Sequence, residues 1–282
     1  MPPRTVLTQR QKRLGSELRK MRTTAGLSAE YAAGLLGVDR GKISNMESGV
    51  RGISGERLKT LACNCDVTDE KYVEALAELA EPSAGWWERY RGSLPQGLLD
   101  ISELEADAVR LRGANTVHVP GLLQTSELAL AIFRCAVPAL PEHEVALRLA
   151  LRTERQQVIT GDERIPYVAV VHEAALRMQF GGRDVARTQL RYLLQASERD
   201  NVTLLALPFA RGAFPGAGQT VVYAEGRVPQ LDTVQVDSSH GPAFLHAEGQ
   251  LAKYRAQLDL LEELALSPES SRDFIRKIEQ QL

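Results

Sequence analysis

The chain has 282 residues, of which 44% are hydrophobic and 25% are charged, and its net charge is −2 at pH 7. This composition is typical of a soluble globular protein, and the length suggests one large domain or two of ordinary size. No apolar run reaches the roughly 18 residues of a membrane span, and no secretory signal is visible. The 3 cysteines do not suggest a disulfide framework. We therefore expect a cytoplasmic protein without a membrane partner.

The charge is unevenly distributed along the chain. Residues 1–59 hold 12 lysines and arginines against 5 acidic residues, whereas residues 60–282 hold 22 basic and 31 acidic residues. A basic N-terminal part on an acidic body suggests that the basic part meets a polyanion. At this point, a chance fluctuation of solvated charge is the alternative.

The N-terminal part of the chain has the patterns of five helices. The first is predicted over residues 10–24, with apolar residues on one face. Ser28 and Asp39 are the predicted N-caps of the second and third helices, and Gly49 is the predicted stop of the third. Ser54 is the predicted N-cap of the fourth helix, and the fifth ends just before a proline.

The second and third helices have the spacing of a helix-turn-helix. Ala33 is small where the third helix crosses the second, and Gly37 tolerates a positive φ at the turn. Ile43 and Met46 supply the apolar inner face of the third helix. This four-point pattern in a basic segment predicts a DNA-binding domain, with a generic helical bundle as the alternative.

Residues 10–80 resemble the Xre-type, phage-repressor-like helix-turn-helix domain, most closely in "LRKMRTTAGLSAEYAAGLLGVDRGKISNMESGVR". The resemblance implies that the third helix enters the major groove of DNA. Arg40, Gly41, Ser44 and Asn45 then fall on positions that face base edges. Arg40 can bond guanine in a bidentate manner and Asn45 can pair with adenine.

Other residues in and around these helices are better suited to phosphate groups. Helix N-termini, lysines, arginines and serines are the usual phosphate contacts in protein–DNA complexes. The predicted phosphate contacts are Ser28, Ala29, Lys42, Ser48 and Arg51.

Glu47 is an acid on a helix that is expected to meet phosphate. A free carboxylate at that place would be repelled by DNA. We therefore predict that Glu47 pairs with Arg22 of the first helix and has a structural role.

Both tryptophans of the chain, Trp86 and Trp87, lie in a predicted connector over residues 82–112, together with Tyr90 and a predicted helix over 100–111. The aromatic side chains could anchor a protein partner. Alternatively, the tryptophan pair joins the two domains.

Helical and strand patterns alternate in residues 113–282. The predicted fold class is therefore an all-α, five-helix helix-turn-helix domain over 1–81, the connector, and a mixed α/β domain over 113–282. The predicted extended segments of the second domain are "NTVHVP", "IPYVAVVHE", "NVTLLALP", "QTVVYAEG" and "LDTVQVDS".

The second part of the chain also resembles a family. The stretches "WWERY", "HVPGLLQT", "VVHEAALR", "LPFARGA" and "ALSPESS" are similar to the C-terminal domain of a large actinobacterial family of antitoxin-like regulators. That resemblance implies an Xre-type domain joined to a domain of unassigned function, often encoded beside a small partner protein.

No motif in the second domain indicates an enzyme. The five histidines are scattered, and no H-E-x-x-H, C-x-x-C or G-x-S-x-G pattern is present. Cys63-x-Cys65 lies in a predicted helix, where core packing is more common than metal binding. We expect no catalytic residues, no metal and no cofactor.

A sensor or docking role remains for the second domain. His172 and Glu173 lie at a strand end, where α/β domains place ligand groups, and Tyr167 and Phe209 are aromatic neighbours of strand ends. An effector, either a small molecule or a peptide, and a docking protein are equally compatible with these residues.

The sequence as a whole predicts a sequence-specific transcriptional regulator that binds double-stranded DNA as a homodimer, associated with the nucleoid when bound. The alternative is an antitoxin-like protein that silences a small co-encoded partner.

Overall fold

The computed structural model describes residues 6–82, 85–238 and 240–282. The chain forms two compact units, and the division between them falls between Glu88 and Arg89. The N-terminal unit is helical, and the C-terminal unit combines helices with a mixed sheet, as the predicted fold class requires.

Five helices build the N-terminal unit, as predicted. Ser28, Asp39 and Ser54 each accept a hydrogen bond from a backbone N–H of the first turn that follows, so the three predicted N-caps are confirmed. The helices are α1 (Gln9–Thr24), α2 (Ala29–Leu35), α3 (Arg40–Glu47), α4 (Gly55–Asn64) and α5 (Glu70–Ala80).

The turn and the inner face of the helix-turn-helix also have the predicted geometry. Ala33, Ile43 and Met46 are all buried. Gly37 has a φ of +60° in the turn, and Gly49 has a φ of +78° after the end of α3. Both values lie in the left-handed region that glycine adopts without steric cost.

A close backbone contact joins α1 to the end of α3. A Cβ atom on Gly15 would lie 2.6 Å from the Glu47 carbonyl oxygen, and one on Gly49 would lie 2.7 Å from the Gln11 carbonyl oxygen. No side chain therefore fits between these two backbones. Gly15 sits inside a helical pattern, and nothing in its sequence surroundings marks it as a contact residue.

A six-stranded sheet in the order β3-β2-β1-β4-β5-β6 is the centre of the C-terminal unit. β1, β2 and β3 are parallel, whereas β4, β5 and β6 each run antiparallel to the strand before them in this order. The strands are β1 (Arg110–Asn115), β2 (Tyr167–His172), β3 (Val202–Leu207), β4 (Val221–Glu225), β5 (Thr233–Val236) and β6 (Ala243–Leu245).

Helices cover both faces of this sheet. Apolar residues of α11 and α13 pack with alternate residues of β1, β2 and β3 in one core cluster. On the other face, α12 packs Leu251, Leu258 and Leu261 against residues such as Val234. The helices are α6 (Gln96–Asp107), α7 (Ser126–Arg134), α8 (Glu142–Arg155), α9 (Gln157–Thr160), α10 (Glu173–Arg177), α11 (Arg183–Ala196), α12 (Glu248–Leu264) and α13 (Pro268–Gln281), with short 3₁₀ helices at Trp86–Tyr90, Gly121–Leu123, Phe209–Arg211 and Pro229–Leu231.

The predicted connector over 82–112 differs from the structure in its elements. Its helix is α6, which ends before residue 108, and Arg110 already begins β1. The predicted extended segment over 115–120 contributes only Asn115 to a strand. Residues 83 and 84 of the predicted connector lie outside the described residues.

The buried arginine of β1 forms hydrogen bonds with acidic residues that are distant in the sequence. The buried Arg112 donates hydrogen bonds to Glu262 Oε1 at 2.8 Å and to Asp259 Oδ1 at 2.6 Å, both on α12. These contacts explain why a strand can contain a buried arginine that its local pattern does not predict.

Within the described ranges, no helix is long and apolar enough to cross a membrane.

Candidate functional site

The third helix of the N-terminal unit presents a polar face to solvent. Arg40, Gly41, Ser44 and Asn45, the residues expected to face base edges, are all exposed. They stand on α3 opposite its buried apolar residues, with four-residue spacing between Arg40 and Ser44 and between Gly41 and Asn45. The side chains of Arg40, Ser44 and Asn45 can therefore reach a partner outside the protein.

The predicted phosphate contacts lie around the same face. Ser28, Ser48 and Arg51 are exposed, and Ala29 is half-buried at the start of α2. Ser28 Oγ already accepts a hydrogen bond from Tyr31 N, and Ser48 Oγ donates to Asn45 O at 3.1 Å.

Lys42 has a competing partner. Its Nζ lies 2.9 Å from Asp39 Oδ2, so the N-cap residue of α3 is also an ion-pair partner. Both side chains are solvent-accessible, and the sequence pattern identified Asp39 only as a cap. A phosphate group at Lys42 would compete with this exposed pair, which contributes little by itself.

Arg22 and Glu47 form a bidentate ion pair between α1 and α3. Arg22 Nε donates to Glu47 Oε1 at 2.5 Å and Arg22 Nη2 donates to Glu47 Oε2 at 3.0 Å. Arg22 Nη1 also donates to the Leu27 carbonyl oxygen. The hydrogen bond with Glu47 is the main reason that the pKa of Arg22 is raised. The carboxylate is thus neutralised inside the protein and is not presented to DNA.

A second buried polar cluster ties α1 to α5. Tyr72 donates a hydrogen bond to Glu17 Oε2 at 2.6 Å, and Arg13 lies 3.2 Å from Glu17 Oε1. All three residues are buried. Burial, followed by the hydrogen bond to Glu17, raises the pKa of Tyr72 well above its usual value, so the phenol stays neutral. The sequence pattern gave no signal for the contact between α1 and α5 because Glu17 and Tyr72 lie 55 residues apart.

In the C-terminal unit, His172, Glu173 and Phe209 lie together at the carboxyl end of β2. The His172 ring is 5.1 Å from the Phe209 ring and 4.9 Å from the Phe214 ring. His172 Nδ1 accepts a hydrogen bond from Ala174 N, and burial lowers the pKa of this histidine, which favours its neutral form.

Glu173 is hydrogen-bonded to two neighbouring segments of the C-terminal unit. Its carboxylate accepts hydrogen bonds from Arg177 Nε at 2.7 Å and from Phe209 N at 2.8 Å. It therefore fixes the loop after β3 to α10. Phe209 itself is 54% exposed.

The remaining predicted effector residues are not part of this cluster. Tyr167 is buried at the opposite end of β2, where its ring fills the space left by Gly113. Tyr90 is also buried and donates a hydrogen bond to Glu154. Trp87 is buried, and its ring meets that of Trp86 edge to face at 5.7 Å.

Two hollows in the described part of the C-terminal unit are small. One lies between β1, β2 and the loop after β3, beside His172 and Phe214, and a second lies between α7, α10 and α11. Each has room for about one water molecule.

The turn geometry and the exposed polar face of α3 define a helix-turn-helix protein. Proteins of this class are DNA-binding regulators. Residues 13–72 match the family model of a helix-turn-helix domain. Residues 98–277, more than half of the chain, match the model described as a domain of unknown function (DUF5753), and the chain belongs to that family. No curated protein and no solved structure matches the chain.

Proposed function

We propose that the protein is a sequence-specific, Xre-type transcriptional regulator that acts as a homodimer, with a C-terminal domain that binds an effector or a protein partner. The observation that carries the proposal is the exposed face of α3, where Arg40, Ser44 and Asn45 stand within the basic segment of residues 1–59. The C-terminal domain has a binding role in this proposal and no catalytic one.

The charge distribution supports the DNA-binding part. Residues 1–59 carry the excess of basic residues, while the rest of the chain is acidic. The acid on α3 is neutralised by Arg22, which removes the one carboxylate of that helix that would oppose phosphate. The segment over residues 1–59, which contains α3, therefore offers DNA an excess of positive charge.

We expect DNA affinity to depend strongly on salt. A dimer that neutralises roughly 4–8 phosphates should give a log-log slope of about −4 to −7 between affinity and salt concentration. Fluorescence anisotropy with a labelled duplex across a salt series measures this slope. A slope near zero, or no binding at low salt, would refute the DNA-binding role.

Arg40→Ala should reduce specificity. The loss of a bidentate base contact should cost about 1–3 kcal/mol on the cognate site and much less on random DNA. Lys42→Ala and Arg51→Ala should weaken binding to both duplexes alike, because phosphate contacts are independent of sequence. Equal losses on both duplexes for Arg40→Ala would show that the register assigned to α3 is wrong.

An antitoxin-like role is the second candidate. Two observations favour a protein partner over a small molecule at the carboxyl ends of the parallel strands: the exposed Phe209 and the small size of the nearby hollow. Exposed aromatic side chains are common anchors of protein interfaces. Co-expression with any small protein found to be encoded next to this chain, followed by size-exclusion chromatography, tests the role, and Phe209→Ser should weaken a complex that forms there.

A further inference from the structure

Arg152 on α8 is held in place by uncharged partners. Its Nη1 donates a 2.5 Å hydrogen bond to Gln124 Oε1, and its guanidinium carbon lies 5.2 Å from the centre of the Phe133 ring. Gly121 makes room for it, since a Cβ atom there would lie 3.0 Å from Arg152 Nη1. The guanidinium is therefore fixed before any ligand arrives.

Gln124, the main partner of Arg152, is itself fixed. Gln124 is buried, and its side-chain Nε2 donates to the Val119 carbonyl oxygen at 2.7 Å. Its backbone carbonyl oxygen accepts a hydrogen bond from Gln156 Nε2 at 2.6 Å. The bond from Arg152 thus ends on a side chain that has little freedom to move.

Other arginines of the same unit have carboxylate partners. Arg155, one turn along α8, makes a bidentate ion pair with Glu105, and Arg112 pairs with acids of α12. Among the described residues, no carboxylate lies within ion-pair distance of Arg152. Its side chain is half-buried and thus partly open to solvent.

Two further titratable residues, His118 and Asp237, interact electrostatically with Arg152. The Nδ1 atom of His118 is buried and has no hydrogen-bond partner among the described residues. Asp237 acts on both His118 and Arg152 through its charge but bonds neither, and it accepts a hydrogen bond from Gln235. Burial, followed by the charge of Arg155, lowers the pKa of Arg152 to about 9. An anion at Arg152 would offset this desolvation.

We propose that Arg152 is the anchor of a binding site for a small oxyanion, the carboxylate or phosphate group of an effector. The planar fork of a guanidinium bonds both groups in a bidentate manner. Gln124 and Phe133 orient the fork. The inference deepens the effector-binding part of the proposed function and adds residues that lie outside the cluster at His172.

Thermal unfolding of the full chain tests the site, with inorganic phosphate or acetate replacing chloride at constant ionic strength. We expect a saturable rise in the unfolding temperature, because a ligand that binds the folded state stabilises it. Arg152→Gln should weaken the fitted affinity at least about tenfold, because it removes the charged hydrogen bonds. A rise with phosphate alone identifies a phosphate site, and a rise with acetate alone identifies a carboxylate site.

Arg148→Gln is the matched control. Arg148 lies one turn earlier on the same helix and pairs with Glu144, so this variant should respond to the anion as the unmodified protein does. Equal responses in all three proteins, or no response of the unmodified protein to either anion, would overturn the proposal.

A second measurement covers the case in which Arg152→Gln does not fold. Crystals of the unmodified protein soaked in selenate should show an anomalous peak within hydrogen-bond distance of Arg152, and the absence of a peak there would refute the site. DNA binding of the same proteins is measured separately without added anion. If the unmodified protein binds DNA but does not respond to either anion, this inference alone is refuted. If it responds to an anion but does not bind DNA, the regulator role alone is refuted.

Discussion

Glu47→Ala is expected to lower the unfolding free energy of the N-terminal unit by about 2–4 kcal/mol. The variant removes both acceptors of the bidentate pair and leaves the Arg22 guanidinium without its carboxylate. The two side chains are only 12% exposed, so water compensates little for the loss. The effect should therefore exceed the value typical of a surface ion pair.

Chemical denaturation of the full chain, monitored with a probe of helix content, measures this loss. The first unfolding transition should move to a lower denaturant concentration. Arg22→Met/Glu47→Leu should recover much of the stability, because neither partner is then left as an unpaired charge. Glu56→Ala serves as the control, since Glu56 is exposed on α4. Unchanged unfolding together with tighter DNA binding in Glu47→Ala would show that Glu47 tunes affinity and does not support the fold.

Glu105→Leu is expected to have a larger effect on the C-terminal unit, about 3–5 kcal/mol. Glu105 accepts hydrogen bonds from Arg155 Nε at 2.8 Å and from Arg155 Nη2 at 2.6 Å. The exposed fractions of the two side chains are only 4% and 8%. Without Glu105, the buried Arg155 cation would lack its carboxylate and would lie near Arg152.

Denaturant unfolding of the full chain, monitored in the transition of the C-terminal unit, measures this cost. Glu144→Ala is the matched control, because its pair with Arg148 is more exposed and should contribute less than about 1 kcal/mol. Glu105→Leu/Arg155→Met should be more stable than Glu105→Leu. A cost below about 1 kcal/mol for Glu105→Leu would contradict the buried-pair interpretation.

The helix-turn-helix could be predicted because its determinants are local. Ser28, Asp39 and Gly49 cap or end helices through bonds and dihedral angles within a few residues, and short patterns reveal them. The pairing of Arg22 with Glu47 followed from chemistry, since an acid on a helix that meets phosphate needs a cation beside it.

Features that depend on distant residues could not be predicted. β1 contains two arginines and a glycine, and Arg112 becomes compatible with a buried strand only through acids about 150 residues away. The same holds for the cluster of Tyr72 and Glu17, whose members show no common pattern. The long-range pairing supplies the hydrogen bonds that the local sequence lacks.

The candidate residues of the C-terminal unit were predicted in part. His172 and Glu173 follow a parallel strand, so their place at the sheet edge could be inferred from the chain. Tyr167 begins the same strand and lies five residue steps, at about 3.3 Å each, from His172. Arg152 lies on a helix with an ordinary amphipathic pattern, and only the fold shows that no carboxylate of the described residues pairs with it.

The contact at Gly15 and Gly49 has a mechanical consequence. Two backbones that touch without intervening side chains cannot slide or tilt past each other without a collision. The third helix is thus coupled rigidly to the first, and the bidentate pair of Arg22 and Glu47 joins the same end of α3 to α1 seven residues beyond Gly15. A movement of α3 would therefore have to carry α1 with it.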